Sequence, residues 1–511
     1  MIKELSTGRL EKTRRGLRSA APELLHIVAS IYADKVQKWG TFLESGGEDE
    51  GGALEAVEQS LMSLKVIRRL IVAGFENPNR EPDISGFWTL SLTHLGNFYS
   101  LIQRQSSTLA SEVEKLIGKH IIQVSKLHLE MARTHPASFG LLPQAVDMVK
   151  SYWGLVVELG KTYSSTDFSQ LKVGMNGNAD DGEKPLLEKL GLKALLLLRA
   201  CAKIAFYPTN TFRYQNQQAK EEKNQCVGLM KSEIFNEDFV VQVMELLVTR
   251  FFVFKASDLR EWEEEPEEWE KQEEEITDAW EFSIRSCAEK LFLDLVINYK
   301  ELLIPKLLNV FYTYASKSNN GIVYYKSELT DAALDPQNKD ILLKDSLYSA
   351  VGLAAACLEN HLDFNTFLVS TLVPEIQIQG PGYNILRRRI SVILGQWVPV
   401  KPSDIDKASV YGIFQHLLDK SDPMNDQVVR VTAGRKLRQV LDPFEFSAEV
   451  FKPFSTSILQ NLIQLIQEVS LSETKMALLE TVRVAVVKME SHVSPGIPYF
   501  DSRYYTYQVS F

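Results

Sequence analysis

Apolar residues in this chain recur at the three- and four-residue intervals that place them on one face of a helix, and signals for β-strands are nearly absent. One such stripe runs from Ile284 to Tyr299, and Pro305 then permits a second helix to begin. The two segments together predict a helical hairpin. Because one hairpin cannot bury its apolar face alone, hairpins of this kind are expected to stack on one another.

The stripe returns along the chain at a regular interval. With Arg285, Tyr348, Arg388 and Arg430 as equivalent points, the spacings are 63, 40 and 42 residues. Two of these match the roughly 40 to 47 residues of a HEAT or armadillo repeat, and a loop from Ser316 to Asp340 can lengthen the third. The sequence therefore predicts an all-α fold, an α-α superhelix in the form of an elongated HEAT-repeat solenoid of antiparallel helix pairs.

The predicted solenoid covers residues 1–511 as one continuous array, since about a dozen helical hairpins would use up the chain. Residues 258–278 are predicted to be an acidic insertion between repeats. Residues 44–53 and 165–185 are predicted to be flexible loops. The first of these loops, ESGGEDEGGA, has enough glycines for a phosphate loop, but its acidic residues would repel phosphate.

Composition narrows the function. A hydrophobic content of 45%, with only 27 glycines and 19 prolines, is typical of a globular chain rich in regular structure. The net charge of −10 disfavours nucleic acid as a partner. The longest apolar run is interrupted by Lys193, Arg199 and Lys203, so it predicts no membrane insertion. The four cysteines are far apart and form no CxxC pair, which is typical of a reducing compartment such as the cytosol or nucleus.

Motifs for catalysis and cofactor binding are missing from the sequence. The eight histidines form no HExxH motif, and neither GxxxxGK[ST], a GxGxxG after a strand, nor GxSxG occurs. We therefore predict that the chain is not an enzyme and binds no metal or cofactor.

The segment DQVVRVTAGRKL, from Asp426 to Leu437, has the pattern of the second helix of a HEAT repeat. In such repeats an aspartate and an arginine form hydrogen-bonded ladders between neighbouring units. We predict that Asp426 and Arg430 belong to such a structural ladder, together with Arg285 and Arg388 at equivalent positions. The alternative is an exposed pair of Asp426 and Arg430 within one helix, which would contribute only a few tenths of a kcal/mol.

An unusually acidic stretch, EWEEEPEEWEKQEEE, contains ten glutamates in fifteen residues. Pro266 followed by two acids is a favourable helix start, and Trp262 and Trp269 are expected to anchor the stretch on neighbouring repeats. The glutamates are predicted to project outward as a surface that binds a basic partner. They are Glu263, Glu264, Glu265, Glu267, Glu268, Glu273, Glu274 and Glu275. The alternative is a solvated run of charge that only keeps the chain soluble.

The run WEEEPEEW, followed by a helix that contains Ile284 and Arg285, resembles the corresponding segment of the importin beta superfamily, the karyopherin nuclear transport receptors. The resemblance is nearest to the importin-eleven type and its fungal relatives. Further segments agree in order along the chain, among them LMSLKVIRRLIVAGF, KDSLYSAVGLAA, LRRRISVILGQWV and DQVVRVTAGRKL.

The resemblance implies an import receptor that holds protein cargo, meets phenylalanine-glycine nucleoporins and releases its cargo to Ran GTPase in the GTP form. Such a protein would be a monomer that shuttles between cytoplasm and nucleus. Because the repeats that supply the family's main Ran site would precede Met1, we expect a central fragment of a longer receptor. The alternatives are an exportin or two-way carrier of the same family, and a HEAT-repeat scaffold of a multiprotein complex. The scaffold leaves WEEEPEEW unexplained.

Overall fold

The computed structural model describes residues 11–45, 50–105, 111–163, 185–211, 217–276, 280–315, 336–442 and 446–489. Regular structure within these ranges is entirely helical, without a β-strand, and this confirms the predicted all-α fold class. No helix in the same ranges is long and apolar enough to cross a bilayer. The chain divides into two compact units, Met1–Leu246 with Trp280–Asn298, and Leu247–Ala279 with Tyr299–Phe511.

The helices up to residue 246 are α1 (Glu11–Ser45), α2 (Glu50–Gly74), α3 (Pro82–Gln105), α4 (Ser111–Thr134), α5 (Pro136–Leu141), α6 (Ala145–Tyr163), α7 (Leu186–Phe206), α8 (Pro208–Thr211), α9 (Gln217–Leu229) and α10 (Glu237–Leu246). A short 3₁₀ turn at Pro78–Arg80 precedes α3, and π-helical turns at Met230–Ile234 and Leu247–Phe251 follow α9 and α10.

The later helices are α11 (Ala256–Glu264), α12 (Pro266–Ile276), α13 (Ile284–Asn298), α14 (Lys300–Ala315), α15 (Pro336–Leu353), α16 (Ala355–Leu358), α17 (Phe364–Phe367), α18 (Val373–Glu375), α19 (Tyr383–Trp397), α20 (Lys407–Leu417), α21 (Gln427–Leu441), α22 (Ala448–Glu468) and α23 (Ser472–Met489). A π-helical turn, Leu368–Leu372, joins α17 to α18.

The first unit is built from helix pairs whose second members lie side by side. The second members are α2, α4, α7 and α13, each of which packs on the next, while α1, α3, α6 and α10 pack on them as partners. Aromatic and histidine side chains fill the spaces between the pairs. Trp88, for example, is fully buried and meets His128 at 4.9 Å and Phe139 at 5.8 Å between ring centres.

The second unit repeats this arrangement. Its row of second helices is α15, α19, α21 and α23, each packed on the next, and α20 packs on α22 in the other layer. The helices in the row approach closely where a glycine faces the neighbour. A Cβ atom at Gly434 of α21 would lie only 2.4 Å from Cδ2 of Leu478 on α23. The stacking of hairpins that the apolar stripes predict is therefore present in each unit.

Two helices begin inside segments that the sequence predicts to be loops. Helix α2 begins at Glu50, so the last four residues of the predicted loop 44–53 form a first helical turn. An acid in the first turn is favoured by the helix dipole, which offsets part of the cost of the glycines that follow. Helix α15 likewise begins at Pro336, inside the expected loop that ends at Asp340. Residues 165–184 of the other predicted loop lie outside the described residues.

Candidate interaction site: the acidic hairpin

Helices α11 and α12 form a helical hairpin, residues 256–276, that we call the acidic hairpin. The backbone N–H of Lys255 donates to Oδ2 of Asp258 at 2.8 Å, which fixes the start of α11. Glu265 separates the helices, and Pro266 occupies the first position of α12, where the missing N–H of proline costs nothing. The insertion predicted at 258–278 is therefore a pair of helices, of which residues 277 and 278 lie outside the described residues.

Two tryptophans attach the acidic hairpin to the rest of the second unit. Trp262 and Trp269 are each 4% exposed, and their ring centres are 4.6 Å apart. The ring of Phe254 lies 5.5 Å from that of Trp269. Trp262 also donates from Nε1 to Oδ2 of Asp426, at 2.9 Å. Each tryptophan thus buries a large apolar surface, and one of them satisfies its polar atom as well.

Arg388 of α19 lies against these rings. Its guanidinium carbon is 4.8 Å from the ring centre of Trp269, within cation–π range, and Nη2 is 3.7 Å from Oε2 of Glu273. Burial lowers the pKa of Arg388 despite the attraction of Glu273. The hairpin therefore provides both the aromatic face and the counter-charge for a buried arginine.

Glu267 makes the densest set of hydrogen bonds in the hairpin. Its carboxylate accepts the backbone N–H groups of Ser470 and Leu471 at 2.8 to 2.9 Å, and Nε2 of Gln427 at 3.0 Å. Burial alone would raise its pKa, but these hydrogen bonds hold the pKa of Glu267 below its usual value. Because the two N–H groups immediately precede α23, this glutamate satisfies donors that the start of that helix leaves open.

Glu270 and Glu274 lie on the docked face of α12 and meet α21. Oε2 of Glu270 is 2.9 Å from Nε of Arg435, and Oε1 of Glu274 is 2.6 Å from Nζ of Lys436. Glu270 is fully buried, and burial raises its pKa to about 7 even though Arg435 opposes the shift. The sequence interpretation omitted Glu270. Its position could have indicated this role, because Glu270 follows Trp269 and lies one turn before Glu274 on the same helix face.

The glutamates predicted to form one outward surface divide into two groups. Glu267, Glu273 and Glu274 are bound to side chains or backbone groups of the second unit, so they do not project freely as expected. Those facing solvent are Glu263, Glu264 and Glu265, together with the half-exposed Glu268, which lies 4.0 Å from Lys271. Glu275 lies in α12, but its side chain is outside the described residues.

The predicted structural ladder takes a different form from the Asp–Arg pairing that was expected. Asp426 caps α21 by accepting the N–H of Val429 at 2.9 Å, and its other oxygen accepts Nδ2 of Asn384 on α19 at 2.8 Å. Arg430 pairs with Glu468, with 2.7 Å between Nη1 and Oε2. Arg285 is half-buried in the first turn of α13. Asp426 and Arg430 thus each link neighbouring helix pairs, but through other partners.

The two arginines beside Arg388 also link neighbouring repeats, and the sequence analysis did not assign them individually. Arg389 forms a two-pronged ion pair with the fully buried Asp345, at 2.7 and 3.1 Å. Arg387, also fully buried, lies 2.9 Å from Asp422 and donates to Oδ1 of Asn425 at 2.8 Å. In each case the partner lies 35 to 44 residues away, about one repeat, and this spacing is the signal that could have identified it.

Within the described ranges, no group of three or more His, Cys, Asp or Glu side chains could hold a metal ion. What the site offers is a rigid attachment, with three solvent-facing glutamates at the end of α11.

Comparison with known proteins shows which proteins this chain resembles. No protein-family model matches the chain. The chain is 26% identical over 499 residues to the importin beta-like protein KAP120 of Saccharomyces cerevisiae, a match that covers 97% of this chain and 44% of that protein. It is 27% identical over 498 residues to importin-11 of Mus musculus, covering 97% of this chain and 46% of the mouse protein. The chain is therefore similar to importin beta-type proteins over nearly its whole length.

A solved nuclear transport receptor has a fold similar to that of this chain. The structure of Lph2, described as a novel bidirectional nuclear transport receptor in S. cerevisiae, matches with a TM-score of 0.76 and 25% sequence identity. That match covers 95% of this chain and 44% of the Lph2 chain. The family resemblance seen in the sequence is thereby confirmed, and the chain spans somewhat less than half the length of the relatives it matches.

Proposed function

We propose that this chain acts within a nuclear transport receptor that carries protein cargo through the nuclear pore and releases it to Ran in the GTP form. The observation that carries the proposal is the match to Lph2 along 95% of the chain at a TM-score of 0.76, since Lph2 is itself described as a nuclear transport receptor. In this proposal the protein is a shuttling monomer that meets phenylalanine-glycine nucleoporins and localises to both cytoplasm and nucleus.

Import is the first direction to test, and two-way transport is the second candidate. The description of Lph2 as bidirectional favours the two-way carrier over a dedicated exportin. A HEAT-repeat scaffold remains the alternative from a different class, because helix pairs alone would serve either role.

Passage through the pore is the most direct test of a transport receptor. The chain is labelled with a fluorophore and added to permeabilised cells. Its rate of entry into nuclei is compared with that of an inert globular protein of similar mass. We expect the chain to concentrate at the nuclear rim and to enter nuclei faster than the inert protein, because a receptor binds nucleoporins during passage. Equal entry of the two proteins would favour the scaffold.

Ran dependence is tested separately with immobilised Ran loaded with a GTP analogue or with GDP. We expect retention by the GTP form in preference to the GDP form. Equal retention by both forms would contradict Ran-dependent cargo release by the residues present in this chain. The result of the pore-passage test would not be affected.

Within this function, we propose that the solvent-facing part of the acidic hairpin binds a basic partner, either cargo or a lysine-rich face of Ran. Glu263, Glu264 and Glu265 are consecutive and exposed, and the tryptophan attachment limits how far they can move. Clustered charges of one sign raise the association rate of an oppositely charged partner. Because single exposed ion pairs contribute only about 0 to 1 kcal/mol, the effect is expected to be collective and sensitive to salt.

A matched pair of variants tests this binding role. Glu263 and Glu264 are both replaced by Gln, and the control replaces the exposed Glu301 and Glu473 of the same unit. Both variants lose two negative charges. With a labelled lysine-rich peptide and with Ran as probes, we expect at least a threefold slower association for the hairpin variant at low salt, and little difference at high salt. Equal rates for the two variants would return the hairpin to a purely structural role.

A further inference from the structure

The first unit has an open cavity of about 500 Å³ whose charge is opposite to that of the acidic hairpin. It lies between α4, α7 and the segment that precedes α13. Its lining combines cationic, aromatic and hydroxyl groups. The polar and aromatic lining residues are Arg133, Arg199, Lys203, Tyr207, Thr211, Trp280 and Glu281.

Arg199 and Trp280 form the fixed part of this cavity. The guanidinium carbon of Arg199 lies 3.9 Å from the ring centre of Trp280, and its Nε donates to Asp294 at 2.8 Å. Nη1 of Arg199 is buried and has no hydrogen-bond partner among the residues that the structure describes. A buried donor without an acceptor is costly, so an incoming acceptor would gain a hydrogen bond with a group that is already oriented.

Positive charge exceeds negative charge around the cavity. Burial lowers the pKa of Lys193, and the neighbouring Lys126 and Arg133 lower it further. Burial also lowers the pKa of Lys203, with Arg199 as the next cause. Three cations line the cavity itself, Arg133, Arg199 and Lys203, against one lining carboxylate, Glu281, which lies 3.1 Å from Arg133. Beside the cavity, Asp294 pairs with Arg199, and Glu130 is engaged by Arg68.

We propose that this cavity binds the carboxylate side chains of an acidic peptide segment from a partner protein. The volume is within the range of small ligand sites, and arginine guanidinium groups are suited to two-pronged binding of carboxylates. Trp280 and Tyr207 supply flat surfaces for the apolar atoms of the segment. The site lies outside the proposed role of the acidic hairpin, which is to bind basic groups.

A peptide fits this cavity better than a nucleic acid does. The carboxylates of Glu281 and Asp294 would repel a continuous phosphate backbone, whereas a peptide can place its carboxylates beside the cations and apolar atoms elsewhere. The chain as a whole carries a net charge of −10, which repels polyanions over longer distances. Binding of an acidic probe therefore requires a local cationic site.

Fluorescence anisotropy with fluorescein-labelled octaglutamate tests the proposal on the whole chain. Arg133 and Lys203 have exposed side chains, so the double variant R133Q/K203Q is expected to fold, and circular dichroism checks this. The matched control, K115Q/K119Q, removes two exposed lysines from α4. We expect at least a tenfold rise in Kd for the cavity variant and less than a twofold change for the control.

The outcomes that overturn the proposal are distinct. Absence of octaglutamate binding to the unaltered chain, or equal weakening in both variants, would show that the cavity is no acidic-peptide site. Tighter binding of a labelled oligothymidylate of eight nucleotides than of octaglutamate would assign the cavity to nucleic acid. A further variant, W280L, keeps the charge and is expected to raise Kd about threefold; an unchanged Kd would remove Trp280 from the site.

Discussion

Replacing Trp269 with alanine should release the acidic hairpin from the rest of the second unit. The side chain is 4% exposed, its ring lies 4.6 Å from that of Trp262, and the guanidinium of Arg388 lies over its face. Alanine removes all of this contact, and the ion pair of Arg388 with Glu273, at 3.7 Å, is left without the aromatic ring beside it.

The magnitude follows from the burial of the ring. Truncation of a buried Phe or Trp to Ala costs about 3 to 5 kcal/mol, and loss of a desolvated cation–π contact adds roughly 1 to 2 kcal/mol. We expect the acidic hairpin to open without unfolding the helix pairs beneath it, so that part of this cost appears as local opening. A loss of about 3 kcal/mol in docking corresponds to more than a hundredfold increase in the open population, since about 1.4 kcal/mol is a factor of ten.

Hydrogen exchange measured by mass spectrometry distinguishes local opening from global unfolding. We expect peptides from residues 256–276 of Trp269→Ala to exchange at least a hundredfold faster, with a smaller change in α15 and α20. Trp269→Phe, which retains an aromatic ring, should show a much smaller increase. The exposed Met476 provides a control in the same unit, because its replacement by Ala should leave exchange in the hairpin unchanged.

Unchanged exchange in Trp269→Ala would refute the idea that the tryptophans hold the hairpin. Faster exchange spread evenly over the second unit would instead mean that the hairpin cannot open separately. In that case the loss should appear as a lower free energy of unfolding of the whole unit.

Three further predictions concern stability, each measured by urea unfolding. Asp345→Ala should cost about 3 to 5 kcal/mol, because it leaves a buried guanidinium without its counter-charge; a cost below about 1 kcal/mol would mean that the pair is not a main link between repeats. Arg430→Ala should cost about 1 to 3 kcal/mol, whereas Arg483→Ala, at an exposed pair within one helix, should change stability by less than about 0.5 kcal/mol; equal effects would contradict the ladder. Burial lowers the pKa of His120 to about 4 and of His128 to about 3. The unfolded chain therefore takes up protons first as pH falls below about 6.5, and each histidine should remove about 2 to 3 kcal/mol of stability by pH 4.5. His128→Gln should flatten this pH dependence, and an unchanged slope would contradict the assignment.

The helix pairs were predictable because each stripe of apolar residues is local information. The series that begins at Ile284 marks α13, and the equivalent stripes mark α15, α19 and α21. Helix ends were less predictable. Glu50 begins α2 although two glycines follow it, because packing along a helix of 25 residues outweighs a propensity cost of about 1 kcal/mol for each glycine.

The repeat spacing contained more information about the interaction site than the local charge pattern did. Arg387 and Arg389 appear in the sequence as part of a basic cluster, but each is buried against an acid about one repeat away. A local sequence window cannot contain both members of such a pair. The partners of Asp426 are likewise only partly visible to a local window. Its capping of α21 is local, whereas its hydrogen bonds with Asn384 and Trp262 join residues far apart in the sequence.

The acidic hairpin shows why a run of charge need not be a solvated face. Rules for charge patterning consider the run alone, and by that rule ten glutamates should face water. Glu270, Glu273 and Glu274 form ion pairs with Arg435, Arg388 and Lys436, respectively. These cations lie more than a hundred residues later in the sequence. Helix α12 is therefore neutralised on its docked face, and solvent-facing charge is left at the end of α11 and at the half-exposed Glu268. A basic partner that binds there need not displace the docked glutamates, so binding and attachment can coexist on one hairpin.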